Sequence, residues 1–460
     1  MNKFGIQGIN QILLKRFKND DNLKIAIKRA KPIINSNKEY NNLQRNIMNF
    51  YNKDTIVPYI PVSAQGPWIV TNTGSVLYDV GGYGMLGFGH SPQWCLDVLS
   101  KPHVMANVMT PNTYQLEFTE LLKKKIGINR NNECPYSHFA FLNSGSEAME
   151  LALRISDIDN KIKKESAFIV LKNSFHGRTT KAATISDSSR KNYEKNLKSF
   201  KENKNVHTVF INSINSLKYT FQNLQTNYHV EALIMEPVMG EGNPGIPLTT
   251  DYYKYARELT KKNNTNLIID SVQAGLRTYG YLSVVDYPHL KELEAPDMEI
   301  FSKAISSGHF PLSVLAVNKK INENFKTGIY GNTMTGNPKA MEMGIETLKR
   351  ATPELTDYIQ NMGIRFKNML YNILKKYPEI VTNVTGTGLL LALHIKEQYK
   401  VDEKFGLEYL CRVNGLNVIH GGSNALRFTP YFLITPQEID LIQHILNLTF
   451  KEYKNNYINR

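Results

Sequence analysis

Seven short apolar, β-rich runs, separated by helix-length stretches across residues 134–318, constrain this chain more than any other feature. They read HFAFL (138–142), AFIVL (167–171), HTVFI (207–211), EALIM (231–235), NLIID (266–270), MEIFS (298–302) and LSVLAV (312–317). Runs with so little polar alternation must be buried on both faces, and the intervening helices have to cover them. The pattern predicts an α/β fold around a mainly parallel, seven-stranded sheet. In such sheets ligands gather at the carboxyl ends of the strands. Most of the runs are followed at once by a polar or glycine-containing segment, so candidate functional residues belong there.

The character of the chain changes after about residue 340. Helices are predicted over 338–350 and 354–376, a β-rich stretch over 380–395 and a last helix over 436–453, which together read as a smaller α+β domain. A length of 460 residues exceeds one ordinary core and suits this division. The expected layout is a basic helical extension over 1–55, the first part of the small domain over 56–100, a large domain over 101–344, and the rest of the small domain over 345–460. Residues 1–18 contain no acidic side chain, and Phe4, Ile9, Ile12, Leu13 and Phe17 form an amphipathic helical pattern. The stretch lacks the Ser and Arg richness of a transit peptide, so packing on the body or a partner is the first reading and mitochondrial targeting the second.

A formal charge of +14 raises the question of nucleic acid or an anionic membrane. The lysines are dispersed among asparagines, as in KNYEKNLKSFKENKN (191–205), which reads as a solvated surface. Neither nucleic acid nor membrane is therefore expected as a partner. No apolar run approaches the roughly 18–20 residues of a membrane span. Cys95, Cys134 and Cys411 are odd in number and far apart, which argues against a disulfide framework or zinc site and for a reducing compartment, the cytoplasm.

Several motifs carry possible chemistry. Ser144 and Glu147 in NSGSEAMELALRISD (143–157) form a capping box before an amphipathic helix, leaving the amides of Gly145 and Ser146 to meet an anion; a plain helix cap is the alternative. In NSFHGRT (173–179), Phe175 can stack a planar ring and Arg178 can fork onto a carboxylate, although exposed Arg and His are common. MEPVMGEG (235–242) sets Glu236 at a buried strand end and Glu241 in a flexible turn; two solvated carboxylates are the alternative. Asp270 closes a buried strand in LIIDSVQAGLRTYG (267–280), where it needs a positive partner such as a protonated pyridine nitrogen, or else caps the next helix. Lys303 follows the next apolar run. Burial would lower its pKa toward nucleophilic use, unless the side chain snorkels to the surface. Thr333 sits in the Gly-rich turn of YGNTMTGNPKAMEMGIETL (330–348), a phosphate or dimer-contact loop or an ordinary helix entry. Arg427, between apolar neighbours in LRFTP, needs an anionic partner, which a structural ion pair also supplies.

In this order the motifs resemble the class III aminotransferases, a branch of the fold-type I pyridoxal-phosphate (PLP) enzymes, from about residue 60 to 448. The family pattern runs N-[ST]-G-[AS]-E-A, F-H-G-R-T, E-P-x-x-G-E-G, D-E-V-Q-x-G-x-x-R-T-G, S-K-A, T-x-x-G-N-P and a late R-F-x-P. The resemblance implies a ping-pong transaminase that moves an amino group, expected to be an ω-amino group, to a keto acid such as 2-oxoglutarate. It implies that Lys303 carries the cofactor as a Schiff base and shuttles protons, and that Asp270 pairs with the pyridine nitrogen. Val272 and Phe175 would pack on the ring, Gln273 would meet its hydroxyl, and Gly145 and Ser146 would cradle the phosphate. Thr333 would reach the phosphate of the partner subunit in a homodimer. Tyr83, Arg178 and Arg427 would receive the substrate, with Glu241 masking Arg427 when an amine enters.

Some positions depart from the pattern. Ser271 stands where the family has Glu, Thr385 where it has Arg, and SSGHFP (306–311) lacks a usual Gly. Two rival readings are another PLP chemistry (decarboxylase, aminomutase or racemase) and an inactive binding protein.

Overall fold

The computed structural model describes residues 37–50, 57–158, 162–201 and 205–457. One sheet contains β1 (His138–Leu142), β2 (Glu165–Leu171), β3 (Val206–Val209), β4 (Tyr228–Met235), β5 (Asn266–Asp270), β6 (Met298–Phe301) and β7 (Ser313–Val317). Their spatial order is β1-β7-β6-β5-β4-β2-β3. Only β7 is antiparallel to its neighbours; the remaining pairs are parallel. The connection from β6 to β7, residues 302–312, is too short for the crossover a parallel pair requires, so the chain doubles back. Lys303, Ser307 and Gly308 take positive φ in that reversal (49°, 51° and 73°).

Burial explains why the apolar runs become strands. Leu267, Ile268 and Ile269 are fully buried and alternate between two cores. Ile268 joins Ile234, Ile300 and Met149 of the helix Gly145–Ser156. Leu267 and Ile269 join Tyr252, Tyr253 and Ala256 of the helix Thr250–Lys262 on the other face. Each such side chain contributes about 1.5–3 kcal/mol on transfer from water.

Two smaller sheets lie outside this layer. Strands Pro61–Gln65, Trp68–Thr71 and Val76–Asp79 are extended by Leu416–Asn417, which pairs in parallel with Val76–Asp79. The other contains Val381–Thr387, Leu390–Ile395, Ala425–Phe428 and Ile419–Gly421. The helix expected from 354 begins at Pro353, because Thr352 accepts the Leu355 amide and proline suits a first turn. The last helix runs Pro436–Tyr457. The amphipathic pattern over 1–18 lies outside the described residues; within the expected extension the helix Asn37–Gln44 is described. No helix among the described residues is long and apolar enough to cross a membrane.

Candidate active site

The strands β1, β2, β4, β5 and β6 all point their carboxyl ends at one cavity of about 420 Å³, within the range of small-molecule sites. Of the twelve residues to which the resemblance assigns roles, eight line it. They are Gly145 and Ser146 after β1, Phe175 after β2, Glu241 after β4, Asp270, Val272 and Gln273 at the end of β5, and Lys303 after β6. The other four do not line it. Arg427 is buried behind the turn that carries Glu241, Arg178 lies over the outer face of the Phe175 ring at 5.2 Å, and Tyr83 and Thr333 are exposed.

The helix after β1 begins as its capping box requires. The Ser144 hydroxyl accepts from the Glu147 amide, and the Glu147 carboxylate accepts from the Ser144 and Asn143 amides. The amides of Gly145 and Ser146 open the first turn, where no intrahelical acceptor exists. The loop after β2 comes down on this turn. Gly177 has φ +127°, and a Cβ there would fall 2.5 Å from Ser146 Oγ, so glycine is required for the approach. Ser146 Oγ in turn accepts the Arg178 amide (3.1 Å).

Lys303 donates through Nζ to Gln273 Oε1. Burial pulls its ammonium down to about 8; nearby Arg427 adds to the fall, while Glu241, Asp270 and Glu236 oppose it. Asp270 accepts from the Val272 amide (3.1 Å) and meets His176 Nδ1 at 2.8 Å. His176 is thus a site residue that the sequence did not single out by itself. The pair spans 94 positions, so no spacing signal could have revealed it.

Glu236 was legible only as a carboxylate at a buried strand end. It accepts the amides of Phe175 (3.0 Å) and Gly240 (2.7 Å). Burial pushes it up to about 7, with His176 opposing and Asp270 adding to the rise. Arg427 donates Nη1 to the Gly240 carbonyl (3.1 Å), and its buried Nε has no partner. Burial lowers its pKa, offset in part by Glu241 and Tyr83. Among the described residues no carboxylate stands within ion-pair distance of Arg427, so Glu241 acts on it here through the field alone.

Residues 50–450 match the family model for class III aminotransferases. The chain belongs to that family. It is a pyridoxal-phosphate-dependent transaminase. It is 32% identical over 397 residues to the acetylornithine aminotransferase of Prochlorococcus marinus MED4, covering 84% of this chain and 90% of that protein. It is 27% identical to ornithine aminotransferase 2 of Staphylococcus aureus N315, covering 85% and 94%. Among solved structures, the ornithine aminotransferase of Toxoplasma gondii superposes with a TM-score of 0.77 at 22% identity, covering 91% of this chain and 96% of that one. That structure holds PLP at partial occupancy in its active site. The likeness establishes the fold, fold type I with its mainly parallel sheet.

The cavity of this aminotransferase fits such a cofactor. Gln273 Nε2 and His176 Nε2 belong to residues that line the cavity, and both atoms are buried with no hydrogen-bond partner, so a polar ligand there could engage them. The helix N-terminus at Gly145 suits a phosphate, and Phe175 and Val272 offer apolar surfaces for a planar ring.

Two departures from the family pattern acquire a physical account. Ser271 donates to Glu299 (2.5 Å), whose buried carboxylate also accepts from Tyr136, Ser283 and the Val284 amide. Ser271 therefore pairs with a carboxylate on the adjacent strand. Thr385 donates to the Pro244 carbonyl (2.6 Å) and meets His394 Nε2 (2.8 Å), so a hydroxyl occupies the place of the arginine.

Proposed function

We propose that this transaminase takes the ω-amino group of a carboxylate-bearing donor, of the ornithine or acetylornithine kind named for its relatives, and passes it to a keto acid such as 2-oxoglutarate. The observation that carries the reading is the juxtaposition of Lys303 and Asp270 in one cavity, Asp270 closing β5 and Lys303 following β6, its parallel neighbour. Bound pyridoxal phosphate supplies an electron sink that makes a carbon-bound proton acidic and carries the amino group between the two substrates. Lys303 would hold the cofactor through Nζ and, once released, take and return a proton at the amine-bearing carbon. Its lowered pKa suits both tasks. Asp270, oriented by His176, would keep the proton on the ring nitrogen. Gln273 would meet the ring hydroxyl, Phe175 and Val272 would clamp the ring, and Gly145 and Ser146 would hold the phosphate.

On the substrate side, Arg427 would bind a carboxylate through its free Nε edge, with Glu241 as the movable counter-charge, and Arg178 would bind a second carboxylate near Tyr83. We also infer a homodimer in which Thr333 reaches the partner's phosphate site. Exposed Val104, Met105, Val108 and Met109, beside the Thr333 loop, support it. The two-domain division, with 56–100 joined to 345–460, is supported by the pairing of Leu416 with Tyr78. A reducing compartment, the cytoplasm, suits three free thiols, of which burial pushes Cys95 and Cys411 up to about 12.

The test is purified holoenzyme with ornithine, N-acetylornithine or 4-aminobutyrate plus 2-oxoglutarate, following glutamate formation. One donor is expected to dominate kcat/KM, and Lys303→Ala to abolish turnover. Full turnover by that variant, or no glutamate from any ω-amino donor, sinks the reading.

A further inference from the structure

Glu236 does more than its place at a strand end requires. It lines the cavity, is 3% exposed, and uses each carboxylate oxygen for a different backbone amide. One amide belongs to Phe175, the ring on the cofactor side. The other belongs to Gly240, whose carbonyl accepts from Arg427 Nη1 on the substrate side. The two loops are 65 residues apart in the chain (240 − 175 = 65), and Glu236 bonds both. There is no slack at the second contact, since a Cβ on Gly240 would lie 3.1 Å from Glu236 Oε2 and 2.5 Å from Gln273 Cγ.

A buried carboxylate costs free energy unless its lone pairs are used, and one hydrophobic residue fills such a position more cheaply. Its retention beside a second acid, Asp270, therefore calls for a role that a neutral side chain cannot perform. Accepting two backbone N–H groups at once, in a fixed fork, is such a role. A carboxylate has two acceptor oxygens; an amide has one oxygen and a nitrogen that only donates.

We propose that Glu236 is a positioning residue that sets the stacking ring of Phe175 and the carboxylate-binding guanidinium of Arg427 together, through the amides of residues 175 and 240. The inference rests on the roles of Phe175 and Arg427 given above. It makes the cofactor face and the substrate face of the pocket one mechanical unit. The Gly240 carbonyl, held by Glu236, fixes Nη1 of Arg427 and so aims the partnerless Nε edge.

The test is a double-mutant cycle of Glu236→Gln with Arg427→Lys, read by equilibrium binding rather than turnover. Glutarate, a dicarboxylate with no keto group to react, is titrated into holoenzyme, and pyridoxal phosphate into the cofactor-free protein. Glu236→Gln is expected to weaken both by about tenfold, the loss of one charge-assisted hydrogen bond. In the Arg427→Lys background it should no longer affect glutarate but should still weaken the cofactor. Equal effects on glutarate in both backgrounds, or none in either, overturn the proposal. If Arg427→Lys alone leaves glutarate binding unchanged, the assignment of Arg427 itself fails, which is a separate result. Should the glutamine variant not fold, Glu236→Asp, which keeps both acceptors but retracts them by a methylene, is read in the same way.

Discussion

The Lys303 amine lies at the end of a buried strand with a guanidinium nearby and three carboxylates opposing it, and burial decides the balance. Its pKa of about 8, against an ordinary 10.5, means that a large share of the amine is neutral near pH 8. In cofactor-free protein the rate of amine labelling at Lys303 should therefore rise with pH and reach its midpoint near 8, while surface lysines rise above 10. A midpoint above 10 at Lys303, read by peptide mapping, would show that the pocket admits water freely. Glu299 makes the opposite case. Burial pushes it up to about 7, with Ser271, Ser283, Val284 and Tyr136 opposing. A carboxyl with a raised folded pKa binds its proton more tightly folded than unfolded, so stability is lost as pH rises from 4.5 through 7, by at most about 1.4 kcal/mol per pH unit. Glu299→Gln has no proton to lose. The difference in unfolding free energy between variant and wild type should move toward the variant across that window, and a flat difference rules the assignment out.

Elements rather than residues decide how the turn after β4 is held. Residues 240–245 carry Glu241 and receive two threonine hydroxyls from the strand Val381–Thr387: Thr385 on the Pro244 carbonyl and Thr387 on the Gly245 carbonyl (3.0 Å). Thr385→Ala should cost about 1 kcal/mol and lower Tm by about 2 °C, and should raise KM for the dicarboxylate more than for the amine. An unchanged KM ratio would detach that strand from the substrate side. The same element shows where sequence reading stops. All seven strands were legible because near-continuous apolar runs such as AFIVL (167–171) leave only a doubly covered sheet, and the carboxyl-end rule then gathered Gly145, Phe175, Asp270 and Lys303. The antiparallel turn of β7 is also written in the chain, in the shortness of residues 302–312. What was not legible is pairing across long separations: His176 with Asp270, Ser271 with Glu299, Thr385 with Pro244. Each pair joins residues through a partner that no local pattern names. Ser271 therefore read only as a missing acid, with its bond to Glu299 out of view.

At the scale of the whole molecule, a buried arginine and an exposed apolar run stand in contrast. Arg277, fully buried, donates to the carbonyls of Gly84, Leu389 and Pro430, and so ties the end of β5 to both smaller sheets' surroundings. The segment bearing Met105 and Met109 leaves them 79% and 84% exposed, and its Val108 amide donates to the Thr333 carbonyl. In the proposed dimer, apolar side chains so exposed in one run are where the second copy would sit. Asn332 of the same loop donates to Glu147, in the first turn of the helix that begins at Gly145, yet Thr333 itself is exposed. A second copy seated on this face would give Thr333 a partner's cavity to reach. Sedimentation of wild-type holoenzyme is therefore expected to give a dimer. Met105→Lys with Met109→Lys should give a folded monomer with weakened cofactor binding, because each cradle then lacks the opposing hydroxyl. Thr333→Ala should leave the dimer intact and weaken cofactor binding alone. A wild-type monomer with full activity at nanomolar concentration would break this chain of reasoning at its first link. A dimeric Thr333→Ala variant with unchanged cofactor affinity would break it at the second.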